Sequence, residues 1–288
     1  MRDLAGRTAI VTGASRGLGP YLARGLAREG VNLVLAARNE VQLAEVATKL
    51  DKTGVRTLTI PCDVSRETDR ERLVARALEE FGQIDILVNN AGIEVVQAYE
   101  ELPPFEIERV IEVNLLAPML LAHAVLPHML ERRTGFIVNM ASLAGKTGPA
   151  HSETYSASKA GLILFTESLR HDYRKRGVSA TALCPGFVSD AGMYADMQAR
   201  AGVKANRLLG ESTPAKVVAA MLRAIKKDQP EMIVNPGPMR LNLALRQLAP
   251  GLFERIVPLF GANKMFDTVA EQRTSTDPAD AAEPIETH

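Results

Sequence analysis

Thr8-Ala9-Ile10-Val11-Thr12-Gly13-Ala14-Ser15-Arg16-Gly17-Leu18-Gly19-Pro20 is the stretch from which the fold is read. A short apolar run, Thr8 to Val11, gives way to a glycine-rich turn and then to a segment whose apolar residues recur at helical spacing. A strand that turns directly into a helix leaves free N–H groups at the helix start, and these attract phosphate. Gly13 permits the tight turn, Gly17 lets the backbone approach a pyrophosphate, and Gly19 lets the helix pack on the strand. Pro20 falls in the first helical turn, where its missing N–H costs little. A glycine-rich turn alone is weak evidence; the strand before it and the helix after it identify a dinucleotide-binding turn. Ser15, Arg16 and Leu18 lie within it as candidate cofactor contacts.

The same alternation continues outward. Apolar runs predict strands at Thr8–Val11, Asn32–Ala36, Thr57–Ile60, Ile84–Val88, Phe136–Met140, Ser179–Leu183 and Met232–Asn235. Longer periodic stretches predict helices at Gly17–Glu29, Glu40–Lys52, Thr68–Phe81, Pro104–Leu130, Tyr155–Arg176 and Pro214–Lys227. Strands separated by helices are βαβ units, so the expected fold class is α/β, a doubly wound parallel (Rossmann) sheet with helices on both faces. Residues 1–237 read as one dinucleotide-binding and catalytic domain. Residues 238–270 fall outside the alternation and read as a helical C-terminal extension. Residues 271–288, polar, acidic and without aromatics, read as a tail without fixed structure.

The chain has 288 residues, 46% of them hydrophobic, which suits one large domain with a substantial core. Lys plus Arg and Asp plus Glu both number 34, and this balance gives no electrostatic footprint for nucleic acid. Cys62 and Cys184 lie far apart and match no metal-ligand spacing, so no metal is expected and a reducing compartment fits. The N-terminus carries no export signal. The longest apolar run, Leu115 to Pro127, reads as too short to cross a bilayer. A cytoplasmic protein is the expectation.

The second strand ends Leu35-Ala36-Ala37-Arg38. An NAD site of this kind places an acidic residue near this point, to accept from the ribose 2′-hydroxyl. Ala37 and Arg38 stand there instead, and Arg16 lies in the glycine turn. Two planar, permanently charged guanidinium groups suit a 2′-phosphate, so NADP(H) is the expected cofactor; the alternative is that both are solvated surface arginines.

Beyond the glycine turn, Asp63-Val64 follows the third strand and Asn89-Asn90-Ala91-Gly92 the fourth. Asn114, Ser142, Tyr155-Ser156-Ala157-Ser158-Lys159 and Pro185-Gly186 come after these in order. With these spacings the chain resembles the short-chain dehydrogenase/reductase family from about Leu4 to Asn235. Tyr155 and Lys159 are four apart at the start of a predicted helix and share one face. A lysine cation there is expected to lower the tyrosine pKa, letting Tyr155 give a proton to a carbonyl oxygen or take one from an alcohol. Ser142 is placed to hold the substrate oxygen. The resemblance implies that Lys159 also bonds the nicotinamide ribose and that the Asn114 carbonyl holds a water in the proton relay. It further implies that Asp63 bonds the adenine edge, that Asn90, Ala91 and Gly92 line the adenosine side, and that Pro185, Gly186, Val188 and Ser189 flank the nicotinamide. For Asp63 a helix N-cap is the alternative.

One departure stands out. Family members often carry Thr shortly after the Pro-Gly pair, where this chain has Ser189-Asp190, and Asp190 cannot donate to a carboxamide oxygen. His151 reads as a loop histidine at the mouth of the site, and His123, His128 and His171 as packing or surface residues. Substrate contacts are expected from Phe187–Leu209, whose Met193, Tyr194 and Met197 suggest an adaptable apolar pocket. The reading is thus an NADP(H)-dependent oxidoreductase for an apolar carbonyl or alcohol, with a ketone or 3-oxoacyl-type compound in view. The rival is a non-catalytic dinucleotide sensor, or a scaffold acting through its extension. The helix from Asn114 to Leu130 is apolar nearly all round, which predicts a homodimer or homotetramer contact. Leu241, Leu245, Leu248, Leu252, Ile256 and Leu259 form a helical stripe broken at Pro250-Gly251. That segment reads as a lid, an oligomer contact or a membrane-surface helix.

Overall fold

Seven parallel strands form one sheet in the order β3-β2-β1-β4-β5-β6-β7. They are β1 (Thr8–Thr12), β2 (Asn32–Ala37), β3 (Thr57–Pro61), β4 (Ile86–Asn89), β5 (Gly135–Met140), β6 (Val178–Pro185) and β7 (Glu231–Val234). The computed structural model describes residues 1–202, 210–237, 239–251, 255 and 264–275. From β1 the chain steps outward to β2 and β3, then returns to place β4 on the other side of β1, in register Ala9↔Ile86 and Val11↔Val88. The connections leaving β1 and β4 therefore diverge, and a crevice opens beyond their C-terminal ends. This is the doubly wound Rossmann architecture expected from the sequence.

Helices cover both faces. Side chains alternate along β1, so Ala9 and Val11 face one layer and Ile10 the other. The first layer packs α1 (Gly19–Arg28), α2 (Glu40–Leu50) and α9 (Pro214–Lys227) through Leu22, Leu26, Leu43, Val217 and Met221. The second packs α3 (Glu67–Phe81) and α5 (Ala117–Glu131) through Leu73, Leu121 and Val125. Each such leucine contributes about 1.5–3 kcal/mol by its burial.

Four departures from the sequence reading have physical causes. β4 begins at Ile86, because Ile84 is buried without joining the sheet and Asp85 between them is a polar hub. Asp85, fully buried, accepts from Thr8 N at 2.9 Å, Arg7 Nη1 at 3.2 Å and Arg132 Nη2 at 2.7 Å. The long helix expected over Pro104–Leu130 is α4 (Pro104–Ile111) and α5 joined by one π turn, Glu112–Leu116. It is longer than its apolar run: over 28 residues it is long and apolar enough to cross a membrane. Its inner face is nevertheless spent on the sheet, while Leu116, Met119 and Leu120 are exposed. Two short helices, α6 (Ala144–Thr147) and α8 (Met193–Ala201), precede and follow the family-like segments around α7 (Glu153–Tyr173) and β6. Finally, α10 (Met239–Leu248) is followed by α11 (Lys264–Ser275), so helix extends past the point at 271 where a structureless tail was expected. Leu252, Ile256 and Leu259 of the leucine stripe, and the segment 276–288, lie outside the described residues.

Candidate active site

The crevice at the C-terminal edge of the sheet is a cleft of about 1320 Å³. That exceeds the roughly 300–1,000 Å³ of a pocket for one small molecule and leaves room for a dinucleotide and a substrate together. At one end it is lined by the β1 turn, the tip of β2 and the β3–α3 loop; at the other, by the β5–α6 segment, α7 and α8.

The glycines of the turn are dictated by packing. Gly13 has φ +61°, and a Cβ there would meet the Ala91 backbone at 2.9 Å. A Cβ on Gly19 would stand 2.0 Å from the Gly13 carbonyl oxygen. Neither can give way, so the backbone at the cleft floor stays bare, as a pyrophosphate requires. Thr12 and Asn90 lock this turn to β4. Thr12 Oγ1 accepts from Asn90 N at 3.0 Å and Ala91 N at 3.1 Å, and Asn90 Nδ2 donates to the Thr12 and Gly13 carbonyls at 3.0 and 3.1 Å. The Asn90 amide is therefore a brace for the turn. Asp63 is not a helix cap: α3 begins at Glu67, and the Asp63 carboxylate accepts from Ser65 N at 3.0 Å and Ser65 Oγ at 2.7 Å. It still lines the cleft, as do Ser15, Arg16, Gly17, Leu18, Arg38 and Val64. Arg16 reaches towards Asp196 of α8, at 3.7 Å.

Tyr155 and Lys159, one turn apart on α7, are both buried and both line the cleft together with Ser142. Lys159 Nζ donates to the Met140 carbonyl at 2.9 Å and lies 5.6 Å from the Tyr155 ring centroid. The expectation that Lys159 lowers the tyrosine pKa is not met. Burial raises the Tyr155 phenol above its usual range, the Glu94 charge raises it further, and the Ser142 hydroxyl opposes both. Burial also brings Lys159 down to about 8, against the pull of Glu94. In a dry site desolvation outweighs a neighbouring cation that is itself desolvated. The Tyr155 side chain is accordingly a neutral acid at pH 7, the form that donates a proton.

Asn114 lies behind the lining, in the π turn. Its Oδ1 accepts from Ile93 N at 2.8 Å, and its Nδ2 donates to Ile93 O at 2.8 Å and Ser158 Oγ at 3.2 Å. The side chain is a strut between the β4 loop and α7, and a π turn is where main-chain carbonyls leave the regular ladder. Gly19 is also behind the lining, in its packing role. Pro185, Gly186 and Val188 line the cleft, whereas Ser189 does not: its N and Oγ both donate to the Ser212 carbonyl, at 3.0 and 3.1 Å. Asp190, at φ +65°, likewise turns away from the lining.

The sequence reading missed Glu94 outright, and it gave the C-terminal extension a lid as one of its readings without naming the residues that reach the cleft. Glu94, two residues past Gly92, lines the cleft while buried. Its Oε1 accepts from Ser152 Oγ at 3.0 Å, and burial raises its pKa to about 7. From α10, Leu243 and Arg246 line the substrate end, and Arg246 Nη1 donates to the Lys146 carbonyl at 2.7 Å. From α11, Phe266 reaches the lining, while Met265, Val269 and Ala270 pack with Val96, Tyr194 and Met197. His151, read as a loop residue at the mouth, has φ +60° and pairs with Asp267 of α11 at 3.3 Å. Nothing in the sequence marked Glu94, because its burial appears only in the fold; the weak periodicity of 264–275 gave no signal for α11.

A sequence profile of the short chain dehydrogenase family matches residues 7–201. The ketoacyl reductase HetN of Nostoc sp. is 41% identical over 278 residues, spanning 95% of this chain and 96% of that protein. A short chain dehydrogenase/reductase from Burkholderia phymatum, solved in complex with NAD, superposes with a TM-score of 0.77 at 28% identity, covering 88% of this chain and 96% of the other. A variant of actinorhodin polyketide ketoreductase solved with NADPH gives 0.74 at 32% identity, covering 82% of this chain and 98% of the other.

Proposed function

The chain belongs to the short-chain dehydrogenase/reductase family, and we propose that it is a member that uses NADPH to reduce an apolar ketone or 3-oxoacyl-type compound, with Tyr155 as the proton donor. One observation carries this reading. Tyr155, Lys159 and Ser142 line a single cleft whose far end is the bare glycine turn of β1. A nicotinamide dinucleotide bound along that cleft supplies the hydride. The residues that would hold it are the glycine turn for the pyrophosphate, Arg16 and Arg38 for the 2′-phosphate, and Asp63 for the adenine edge. Ser142 holds the substrate oxygen, Tyr155 gives it a proton, and Lys159 orients the ribose beside Tyr155. In reduction a carbonyl gains one hydride and one proton to become an alcohol, and the protonated Tyr155 phenol is the group placed to supply the proton.

The surroundings support three further parts of the proposal. Phe187, Met193, Met197 and Phe266 give the substrate end an apolar wall, and α10 and α11 cover it as a lid that excludes water. Exposed Leu116, Met119, Leu120 and Leu164 offer an apolar face for a second copy of the chain. Two buried free cysteines suit the cytoplasm.

The test is NADPH oxidation against medium-chain ketones, 3-oxoacyl thioesters, steroids and quinones, followed by Tyr155→Phe on the best substrate. The variant is expected to lose about 10²–10⁴-fold in turnover while NADPH affinity stays within about threefold, because only the transferred proton is lost. A variant that keeps the wild-type rate overturns the assignment.

A further inference from the structure

One group in the cleft is unused by this mechanism. Glu94 is only 6% exposed yet lines the cleft beside Tyr155 and Lys159. Its charge is felt by both of them. Among the described residues its one hydrogen-bond partner is Ser152 Oγ, at 3.0 Å on Oε1. A carboxyl has about four acceptor positions, so one hydroxyl leaves most of its capacity open. Buried polar groups of this kind are costly unless a partner completes them. Glu94 lines the cleft with Tyr155 and Lys159, so a group bound in the cleft can take up the capacity that Ser152 leaves open.

We propose that Glu94 is a specificity-determining residue whose carboxyl receives a hydroxyl that the substrate carries close to its reacting carbonyl. The proposal rests on the carbonyl-reductase reading above and narrows its substrate class to hydroxy ketones within an otherwise apolar frame. The chemistry of the neighbours selects a hydroxyl over an ammonium. A cationic substrate group would share the space with the Lys159 ammonium, a like charge. A hydroxyl both donates and accepts, so it pairs with the carboxyl in either protonation state, and burial brings the carboxyl close to half-ionisation at physiological pH. A site built around such a bond also rejects analogues that lack the hydroxyl, since the carboxyl is then left incomplete in a dry pocket.

The test compares matched ketones that differ in the donor and share electronic activation. 2-Hydroxyacetophenone is set against 2-fluoroacetophenone, and 3-hydroxypropiophenone against 3-fluoropropiophenone, with NADPH and the full-length wild type. The expected result is a kcat/KM ratio of at least about tenfold in favour of the hydroxy ketone in one pair, the low end of what a hydrogen bond to a charged or buried carboxyl supplies. Glu94→Leu is expected to bring that ratio to about 1, and Glu94→Gln, which keeps a donor and an acceptor, to hold it within about threefold of wild type. A Glu94 that only ties down the Ser152 loop predicts instead that Glu94→Leu slows both members of a pair equally; that result, an unchanged ratio, overturns the proposal. A wild type that shows no preference in either pair overturns it without any variant, so a misfolded Glu94→Leu does not shield it. Failure of the wild type on all four ketones while it reduces a member of the wider substrate panel overturns this inference alone; failure on that whole panel while NADPH still binds overturns the carbonyl-reductase reading, and this inference falls with it.

Discussion

Replacing Glu94 by Gln should change how the folded protein responds to pH between 5 and 7.5. Burial raises the Glu94 pKa from 4.5 to about 7, only partly opposed by the Ser152 hydroxyl and the Lys159 charge. In the unfolded chain the carboxyl ionises near its ordinary value. Between the two pKa values the folded state therefore holds a proton that the unfolded state has released, and stability falls as pH rises through this window. Each pH step of one across the window costs about 1.4 kcal/mol, so the full loss is about 3 kcal/mol above pH 7. Other perturbed groups leave the window clear. Asp228 is lowered to about 2 by Arg170, Ser179 and Arg174 against its desolvation, so its contribution is lost only at more acid pH. Lys159, lowered to about 8, is charged in both states until pH approaches that value, and the two cysteines titrate near 12 in the folded state. The glutamine side chain of the variant keeps an acceptor for Ser152 and has nothing to ionise. For a chain of 288 residues, whose unfolding entropy is about 0.6 kcal/mol/K, the wild-type Tm is expected to fall by roughly 4–5 °C from pH 5 to 7.5 relative to Glu94→Gln. Differential scanning fluorimetry at matched ionic strength reads the difference. Parallel Tm curves for the two proteins would refute the assignment of a buried, proton-holding carboxyl at this position.

Two further outcomes bear on the cofactor end of the cleft. Arg38→Asp is expected to move the NADPH to NADH affinity ratio towards NADH by at least about tenfold, since it removes a phosphate partner and supplies a ribose acceptor; dissociation constants for both cofactors, unchanged in ratio, would place the phosphate grip elsewhere. Gly19→Ala puts a Cβ 2.0 Å from the Gly13 carbonyl, a clash with backbone that costs about 1–3 kcal/mol or more; it should weaken NADPH binding by about tenfold or more, and calorimetry giving a wild-type affinity would show that the turn tolerates displacement.

The parts of this structure that were legible in the sequence are those determined locally. Thr8 to Gly19 carries its strand, turn and helix in adjacent residues, and each strand from β1 to β7 is an apolar run with a helical stretch behind it. That Tyr155 and Lys159 share one face was legible because four residues on a helix make one face; the role expected of the pair came from the family resemblance. The ionisation of Tyr155 was not legible, because its sign is set by how much water the fold removes, and the sequence shows a lysine but not a dry pocket. The same limit hides Glu94. In sequence it is one acid after Gly92, and its meaning comes from Ser152, 58 positions away, and from the cleft it lines with Tyr155 and Lys159. Asp85 shows the general case: its partners Thr8, Arg7 and Arg132 come from well-separated parts of the chain, so neither spacing nor composition could mark it as a hub.

The substrate end is least legible for a related reason. Its walls come from α8, α10 and α11, short helices outside the βαβ alternation, whose apolar residues meet only in space. Phe266 and Met265 on α11 pack with Tyr194 and Met197 on α8 across about 70 positions of chain, and the His151–Asp267 pair joins the loop before Tyr155 to the same helix. A wall assembled from distant pieces can change its shape without disturbing the glycine turn or Tyr155, which sit on the sheet and on α7. This division of labour is why a shared fold constrains the hydride and proton chemistry here far more tightly than it constrains the substrate. On the proposed reading, Glu94, which sits between the β4 end and α4 rather than on α8, α10 or α11, is a better guide to the substrate than those helices are.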